Sequence, residues 1–319
     1  MARLRVLTWH IHGSYLYYLT QTPVDFYVLS KPDRSDGYAG RYGHFPWGDN
    51  VHDMAAAEVK DHKFDCVLFQ SQVHYLHDQY EILSAAQRQL PCIFLEHDPP
   101  RMDPTGTRHA VDDPDMLLVH VTHFNNLMWD SGNTPTRVIS HGVQVPSNVR
   151  YSGELDRGIV VINHLARRGR RLGEDVYLKL RLRLPLDLVG MGSDESLGGV
   201  GEVQHSLLAE FESHYRFFFN PIRYTSLGLA VCEAMMLGMP VIGLATTEMA
   251  TTIENGVSGF VSNDVEQLVD SMQALLDNPS EAIRLGANAR DAAMALFHID
   301  RFKRDWMEVF SAAVARGSV

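Results

Sequence analysis

The chain has 319 residues, of which 45% are hydrophobic and 21% charged, and its formal net charge at pH 7 is −11. That length is sufficient for two domains of ordinary size, each with its own core. The acidic balance argues against nucleic acid as the main partner and against constitutive binding to an anionic membrane, although a local basic patch would still permit peripheral membrane contact. The sequence has no run of about 18 apolar residues, so we expect no transmembrane segment.

The cysteines and the N-terminus bear on the compartment. Cys66, Cys92 and Cys232 lie in apolar contexts and form no CxxC motif. An odd number of such thiols is typical of a reducing compartment and does not suit a disulfide framework. The first stretch, MARLRVLTWHIHG, is too interrupted by histidine for a signal peptide and predicts a strand instead. We therefore expect a cytoplasmic protein.

The first half of the chain alternates buried strands with helices and loops, which predicts an α/β domain. The predicted strands are 4–8, 24–29, 66–70, 92–95, 116–121 and 136–140, and the predicted helices are 51–60, 75–89 and 124–131. A long loop at 31–50 is a candidate functional loop, since loops of that length inside a compact domain are often functional. Gly13, after the first strand, would let the backbone approach a ligand, and Ser14 would cap the next helix.

Two patterns in this half resemble metal-binding motifs, but we do not favour a metal site at either of them. His10 and His12 face the same way at a strand end, but no third ligand accompanies them. Asp113-Pro114-Asp115 spells a DxD motif, but two acidic residues around a proline also suit a loop before a strand. We therefore expect no metal.

The second half repeats the alternation of strands and helices. Strands are predicted at 158–162, 186–189 and 215–220, with helices at 206–212, 229–237 and 265–276, another from Ser280, and a last one with an apolar face from Ile299 to Phe310. The polar, turn-rich composition of segment 146–156 predicts an interdomain linker. The expected organisation is one domain at 1–148, a second at 149–297 and a terminal helix within 298–319.

Four arginines follow the first strand of the second domain, at positions 167, 168, 170 and 171. Guanidinium groups match phosphate oxygens, so this cluster is a candidate diphosphate clamp. The alternative is a solvated basic loop, the usual state of a charge run. We favour the clamp because the chain is acidic and the cluster directly follows a strand. Gly190-Met191-Gly192 lacks the third glycine of a dinucleotide fingerprint, which argues against an NAD(P) enzyme.

Glu233 lies in a predicted helix among alanine, valine, cysteine, methionine and leucine. A buried carboxylate is costly unless it is paired or accepts hydrogen bonds. The vicinal hydroxyls of a ribose would supply such bonds. The alternative is a structural bond to a neighbouring side chain.

The stretch around Glu233 resembles the donor-site signature of the retaining GT-B glycosyltransferases. The residues that carry the resemblance are Pro221, Tyr224, Gly228-Leu229, Glu233-Ala234-Met235, Gly238, Pro240-Val241 and Gly256…Gly259-Phe260. The resemblance implies two facing Rossmann-like doubly wound parallel-sheet domains with a cleft between them. It also implies that the nucleotide lies mainly on the C-terminal domain, the acceptor on the N-terminal domain, and that the terminal helix crosses back to the N-terminal domain.

The same resemblance implies site residues. Its catalytic set is His97 beside the reacting sugar, Arg168 at the diphosphate and Glu233 at the ribose. Its donor-binding set adds Gly13, Ser14, His164, Arg167, Arg170, Gly190, Val203, Thr225, Ser226, Leu227, Gly228 and Leu229. His164 stands where the family has an arginine, and Thr225 where it has the first of two glutamates. Thr251 likewise stands where the family commonly has a glutamate. The threonine at 225 puts the identity of the sugar in question, and to a lesser degree the activity.

The implied reaction moves a sugar from a nucleoside-diphosphate sugar to an acceptor hydroxyl with retention, without a metal or a bound cofactor. The acceptor would be a carbohydrate or a lipid-linked molecule, for example in the synthesis of cell-surface polysaccharides or glycoconjugates. Three alternatives stay open: a sugar-nucleotide-binding protein without transfer activity, a nucleotide-sugar epimerase, and a phosphorylase. The last would need a pyridoxal-phosphate lysine, whereas Lys179 and Lys303 look like surface positions of helices.

Overall fold

A computed structural model describes residues 3–194 and 197–316. The chain forms two compact units. The first unit comprises Met1–Gly142 together with Ile299–Val319, and the second comprises Val143–His298. In the described residues each unit contains one sheet, of seven strands in the first and six in the second.

The sheet of the first unit is parallel and has the order β3-β2-β1-β4-β5-β6-β7. Its strands are β1 Arg5–Thr8, β2 Asp25–Ser30, β3 Val51–Ala55, β4 Cys66–Phe69, β5 Cys92–Glu96, β6 Leu117–His120 and β7 Thr136–Val138. The order changes direction between the central strands β1 and β4, which pair through Val6 and Cys66. At such a switch point the loops diverge to opposite faces of the sheet and leave a crevice for ligands.

Helices and turns connect these strands. The helices of the first unit are α1 Gly13–Leu19, α2 Gln79–Ile82, α3 His123–Met128 and, from the end of the chain, α11 Ile299–Arg316. In α11, Trp306 is fully buried and its Nε1 donates to the hydroxyl of Tyr15 over 3.2 Å. Arg301 donates to the backbone oxygens of Ser140 and His141. The last helix therefore packs within the first unit. Residues 317–319 of the predicted terminal segment lie outside the described residues.

The predicted helix at 51–60 is wrong. Val51–Ala55 is an edge strand that pairs in parallel with β2, and a single 3-10 turn follows at Val59–Asp61. The alanines of this segment favour a helix, but the backbone bonds to β2 and the burial of Val51 and Met54 outweigh that weak preference.

The predicted continuous helix at 75–89 is interrupted. A π-helical turn at His74–Asp78 leads into α2, and the chain is extended at Leu83 before a 3-10 turn at Gln87–Gln89. The Ser84 hydroxyl accepts from the Gln87 N–H, and the Gln87 side chain accepts from the Ser84 N–H. This reciprocal capping box starts a new turn and so ends the previous helix.

The sheet of the second unit is also parallel, with the order β10-β9-β8-β11-β12-β13. Its strands are β8 Leu155–Val161, β9 Leu186–Val189, β10 Gly199–Gly201, β11 Tyr215–Asn220, β12 Val241–Leu244 and β13 Gly259–Ser262. All six residues of β11 are buried, as expected for a central strand covered on both faces. The switch point of this sheet lies between β8 and β11.

The helices of the second unit follow the strands in alternation. They are α4 Leu165–Arg168, α5 Glu174–Leu180, α6 His205–Glu212, α7 Leu229–Leu237, α8 Met249–Thr252, α9 Val265–Asp277 and α10 Pro279–Phe297. Asn278 caps α10, because its side chain accepts from the Glu281 N–H, and Pro279 takes the first helical position. Within residues 3–194 and 197–316, no helix is both long and apolar enough to cross a membrane.

Candidate active site

The predicted donor-binding residues of the second unit lie in loops that follow β8, β9 and β11 and in the segments that open α6 and α7. Because the strands are parallel, their carboxyl ends lie at the same edge of the sheet. Hydrogen bonds tie several of these loops to one another. The site is therefore built where open α/β sheets ordinarily bind ligands.

The arginine loop after β8 is tied to the loop after β11. The backbone oxygen of Arg171 accepts from the N–H groups of Arg223 and Tyr224 over 3.0 and 3.2 Å. Arg223 forms a bidentate pair with Asp175 over 2.5 and 2.9 Å, and Arg170 Nη1 lies 2.6 Å from the same carboxylate. The hydrogen bond from Arg223 lowers the pKa of Asp175, so the carboxylate stays charged. This ion-pair network fixes both loops before any ligand is present.

The other two predicted arginines of the loop differ in exposure. Arg167 is exposed, whereas Arg168 is half-buried at the last position of α4. The N–H of Arg168 donates to the backbone oxygen of His164 over 3.0 Å. Arg170 has a competing partner inside the protein, because it forms an ion pair with Asp175.

His164 joins the β8 loop to the β9 loop. It has a left-handed backbone with φ of 53°, unusual for a residue with a side chain, and its N–H donates to the Met191 oxygen over 2.6 Å. Gly190 has φ of 137°, and a Cβ there would lie 2.8 Å from the oxygen of Ile162. Gly192 also requires glycine, since a Cβ would lie 2.8 Å from His164 Nδ1. Backbone conformation and close neighbours within the protein therefore explain why Gly190 and Gly192 are glycines.

Neither factor explains the glycine at position 228. It is the N-cap of α7, with φ of −69° and no side-chain cap on the helix. A Cβ added to Gly228 would meet nothing within 4 Å. Neither backbone strain nor crowding explains the glycine, so the surface over this helix N-terminus is open to a ligand. The N–H groups at such a terminus favour a phosphate or another anion.

The neighbouring predicted residues are placed differently. Thr225 and Leu229 are half-buried, whereas Ser226 and Leu227 are buried. The backbone oxygen of Ser226 accepts from the Thr247 hydroxyl over 3.2 Å. This segment can contact a ligand mainly through backbone groups and the Thr225 side chain, because two of its side chains point into the protein.

Glu233 is 7% exposed in α7 and has a partner in the protein. Its Oε1 lies 3.0 Å from Nε2 of His205, two residues after the half-buried Val203. Burial disfavours the charged form of His205, but the hydrogen bond and the charge of Glu233 outweigh it and raise the pKa of His205. The structure therefore shows the bond to a neighbour that the sequence left as an alternative to a ribose.

A second carboxyl group lies close to this pair. Glu212, at the end of α6, is 1% exposed, and its Oε2 has no hydrogen-bond partner among the described residues. Burial raises the pKa of Glu212 well above its ordinary value, and the charge of Glu233 raises it further. The two glutamates thus lie in different environments, since burial disfavours the charged form of Glu212 while Glu233 is held by a histidine.

In the first unit, His97 lies next to the segment that contains Gly13 and Ser14. The His97 ring centroid is 4.4 Å from that of His12 and 4.8 Å from that of Tyr15, which flank this segment. His12 is the N-cap of α1 and has φ of 51°. The structure therefore brings together the three predicted site residues of this unit, at the ends of β1 and β5.

His97 is buried and hydrogen-bonded. Its Nε2 lies 3.0 Å from Oε1 of Gln70, the residue that follows β4. Burial lowers the pKa of His97 well below its ordinary value, with smaller contributions from His12 and His141. The ring is consequently neutral at physiological pH and suits a hydrogen-bond acceptor better than a cationic acid.

The described residues contain no group of three or more His, Cys, Asp or Glu side chains arranged to hold a metal ion. The first aspartate of the DxD motif has a local role, because Asp113 Oδ1 accepts from the Asp115 N–H over 2.9 Å. Such a bond stabilises a turn.

Four side chains near the predicted site residues were not predicted from the sequence, namely Gln70, Asp175, His205 and Arg223. Gln70 and Arg223 follow buried strands, a position that does signal a ligand-facing loop. His205 begins a helix beside the predicted Val203. The pairing of Asp175 with Arg223 could not be predicted locally, since the two residues lie 48 positions apart.

Two comparisons with known proteins find similarity for part of this chain. Residues 183–278 match the family model of the glycosyl transferases group 1. Trehalose synthase from Pyrococcus horikoshii is 31% identical over 85 residues, which are 27% of this chain and 20% of that protein. The chain thus spans a fifth of the length of this curated relative.

Solved structures show the same fold over a greater length. Sucrose-phosphate synthase from Thermosynechococcus elongatus has a TM-score of 0.69 at 16% identity, covering 99% of this chain and 100% of that one. HepE from Anabaena, solved with UDP and glucose, has a TM-score of 0.68 at 12% identity, covering 98% and 100%. TarM from S. aureus, solved with UDP, has a TM-score of 0.61 at 14% identity, covering 80% and 57%.

The predicted fold is confirmed by these structures and by the two parallel sheets. At such low identities the structures establish the fold alone. The chain therefore has the GT-B fold, and its residues 183–278 are similar to the glycosyl transferases group 1.

Proposed function

We propose that the protein transfers a sugar from a nucleoside-diphosphate sugar to an acceptor hydroxyl with retention of the anomeric configuration. The second unit would bind the donor, and the first unit the acceptor. The acceptor would be a carbohydrate or a lipid-linked molecule, as in the synthesis of surface polysaccharides or glycoconjugates. The protein would act in the cytoplasm without a metal.

The observation that carries this proposal is the open N-terminus of α7, one turn before the buried Glu233 of the same helix. Amide groups at Gly228 and Leu229 suit the phosphates or the sugar, and Glu233 suits the ribose hydroxyls. The arginine loop, held against the loop after β11, supplies positive charge for the departing diphosphate. Neutralising the leaving group lowers the barrier to breaking the glycosidic bond.

His97 would act on the sugar or the acceptor rather than on the departing diphosphate. A neutral imidazole accepts a hydrogen bond from a hydroxyl of the sugar or the acceptor and so aligns it for attack. Its lowered pKa keeps that acceptor available across the physiological range.

The test combines binding with product analysis. Because HepE and TarM were solved with UDP, UDP-sugars are the first donors to examine, followed by those of GDP, ADP, CMP and dTDP. A ligand that binds the folded protein raises its melting temperature. Transfer is shown by release of nucleoside diphosphate that depends on an added acceptor, and retention by the anomeric proton couplings of the product in NMR.

Thr225 favours one second candidate, a sugar-nucleotide-binding protein without transfer activity. The side chain at this half-buried position brings no negative charge near the developing oxocarbenium ion. A donor that raises the melting temperature yet releases no diphosphate with any acceptor would support this candidate. Conversion of the donor sugar without release of nucleotide would indicate an epimerase instead.

A further inference from the structure

Gln70 bridges the central strands of the first sheet at their carboxyl ends. It is 6% exposed and follows β4, next to β1 at the switch point. Its Nε2 lies 3.0 Å from Oγ1 of Thr8 and 3.2 Å from the backbone oxygen of Trp9. Its Oε1 lies 3.0 Å from Nε2 of His97. One amide therefore joins three strand ends, those of β1, β4 and β5.

The contacts fix which end of the Gln70 amide faces His97. The backbone oxygen of Trp9 can only accept, so the group beside it is the NH₂ of Gln70. Thr8 Oγ1 lies 3.0 Å from the backbone oxygen of Leu68, to which it donates, and its lone pair is left to accept from Gln70. The amide oxygen of Gln70 must then face His97.

This orientation in turn fixes the tautomer of His97. An amide oxygen cannot donate, so Nε2 of His97 carries the hydrogen and donates to Gln70. In the neutral ring the lone pair is then on Nδ1. Because Gln70 occupies Nε2, a ligand hydroxyl that bonds to this ring must donate to Nδ1.

We infer that Gln70 is a positioning residue, which holds His97 in the Nε2–H tautomer and thereby presents Nδ1 to a hydroxyl of the bound sugar or acceptor. The inference rests on the proposed function for the identity of that hydroxyl. The protein groups around the ring agree with a neutral state. His12 and Tyr15 contact it from the start of α1, and His141, after β7, opposes its protonation.

The first experiment observes the tautomer directly. In ¹⁵N-histidine-labelled wild-type protein, two-bond ¹H–¹⁵N correlation spectra distinguish a protonated from an unprotonated ring nitrogen. We expect the Nε2 resonance of His97 to be of the protonated type and the Nδ1 resonance of the unprotonated type at neutral pH. The reverse pattern, or a doubly protonated ring, would overturn the inference without reference to activity.

The second experiment changes the partner. Gln70→Glu places a carboxylate at the His97 N–H, which stabilises the imidazolium and removes the lone pair from Nδ1. We expect the pKa of His97 measured by NMR and the pKa of the acid limb of the kcat/KM profile to rise together, each by at least about one unit. Gln70→Met leaves the N–H without a partner, and we expect kcat/KM to fall about tenfold without an upward shift of the acid limb.

Gln87 offers a matched control in the same unit. It is also buried, its Nε2 donates to the backbone oxygens of Val59 and His62, and its Oε1 accepts from the Ser84 N–H. Gln87→Glu and Gln87→Met should lower the melting temperature yet leave the His97 titration and the pH profile unchanged.

The outcomes separate this inference from the proposed function. If the pKa of His97 rises in Gln70→Glu but the pH dependence of kcat/KM does not change, the proposed role of Gln70 is wrong, while the proposed transfer reaction stands. Absence of transfer by the wild type with every donor and acceptor overturns the proposed function, and with it the catalytic relevance of Gln70, whereas the nitrogen spectra still decide the tautomer. If the Gln70 variants fail to fold, the wild-type spectra alone support or refute the assignment.

Discussion

His205 Nε2 lies 3.0 Å from Glu233 Oε1, so the buried carboxylate of α7 has a hydrogen-bond donor before any nucleotide arrives. A carboxylate has two oxygens and about four lone-pair positions, so one bond to histidine leaves capacity for ligand hydroxyls. The pairing holds the acceptor atoms in one orientation. It thereby reduces the ordering cost of binding a ribose.

Substitution of Glu233 by glutamine should weaken nucleotide binding. Glutamine keeps the shape of the side chain, but it removes the charge that strengthens hydrogen bonds from ribose hydroxyls. We expect the Kd of the preferred nucleotide to rise about tenfold to a hundredfold, measured by isothermal titration calorimetry. Glu212→Gln is the control, because it makes the same change at a buried carboxyl group that has no proposed contact with the nucleotide, and an equal loss in both variants would contradict the assignment.

Glu212 should make stability depend on pH. Its raised pKa means that the folded state retains a proton which the unfolded state releases once the pH exceeds its ordinary pKa of about 4.3. Stability from this group is thus fully present below that pH and is lost as the pH rises, by on the order of 1 kcal/mol per pH unit at most. Urea unfolding of Glu212→Gln and wild type should show a stability difference that shifts in favour of the variant from pH 4 to pH 7. A difference that stays constant over this range would refute the prediction.

Gly228→Ala should separate folding from binding. The backbone at φ of −69° accepts alanine and the added Cβ meets no protein atom, so the melting temperature should be unchanged or slightly higher. A methyl group over the N-terminal amides of α7 should nonetheless raise the Kd of a nucleotide sugar, by about tenfold if it prevents one phosphate contact. Gly238→Ala is the contrast, because φ of 99° at the end of the same helix makes it destabilising. Unaltered donor affinity in Gly228→Ala would place the donor elsewhere.

Arg168→Ala should weaken nucleoside diphosphates more than nucleosides. The expected loss is about tenfold for the diphosphate, since a charged hydrogen bond disappears, and little for the nucleoside. Arg170→Ala is the comparison within the same loop, because Asp175 already binds its guanidinium, and we expect a smaller effect. Affinities from the thermal shift decide this point, and equal losses for nucleoside and diphosphate would argue against a clamp.

Much of the fold was predictable from the sequence. Leu186–Val189, Tyr215–Asn220 and Leu229–Leu237 have the predicted bounds, because these mainly apolar segments end directly before a glycine or a proline. The helix predicted at 75–89 was wrong in its middle, although Ser84 and Gln87 carry the capping-box spacing that ends it. The edge strand Val51–Ala55 could not be predicted from local preference, since its pairing with β2 decides its conformation.

The site was predictable only where a residue carries its own signal. Glu233 was recognisable because a carboxylate in an apolar helix is unusual, and His97 because it ends a buried strand. The partners of these residues were not recognisable. His205 lies 28 positions from Glu233 and Gln70 lies 27 from His97, so folding alone brings each pair together.

The return of α11 to the first unit has a consequence for biosynthesis. A Cβ on Gly142 would lie 2.2 Å from that of Phe302, so the two ends of this unit are in tight contact. The second unit is one uninterrupted stretch of chain, whereas the first needs α11, which is synthesised after the second unit. We therefore expect the second unit to fold first during synthesis. The first unit would keep an apolar surface exposed until α11 packs against it.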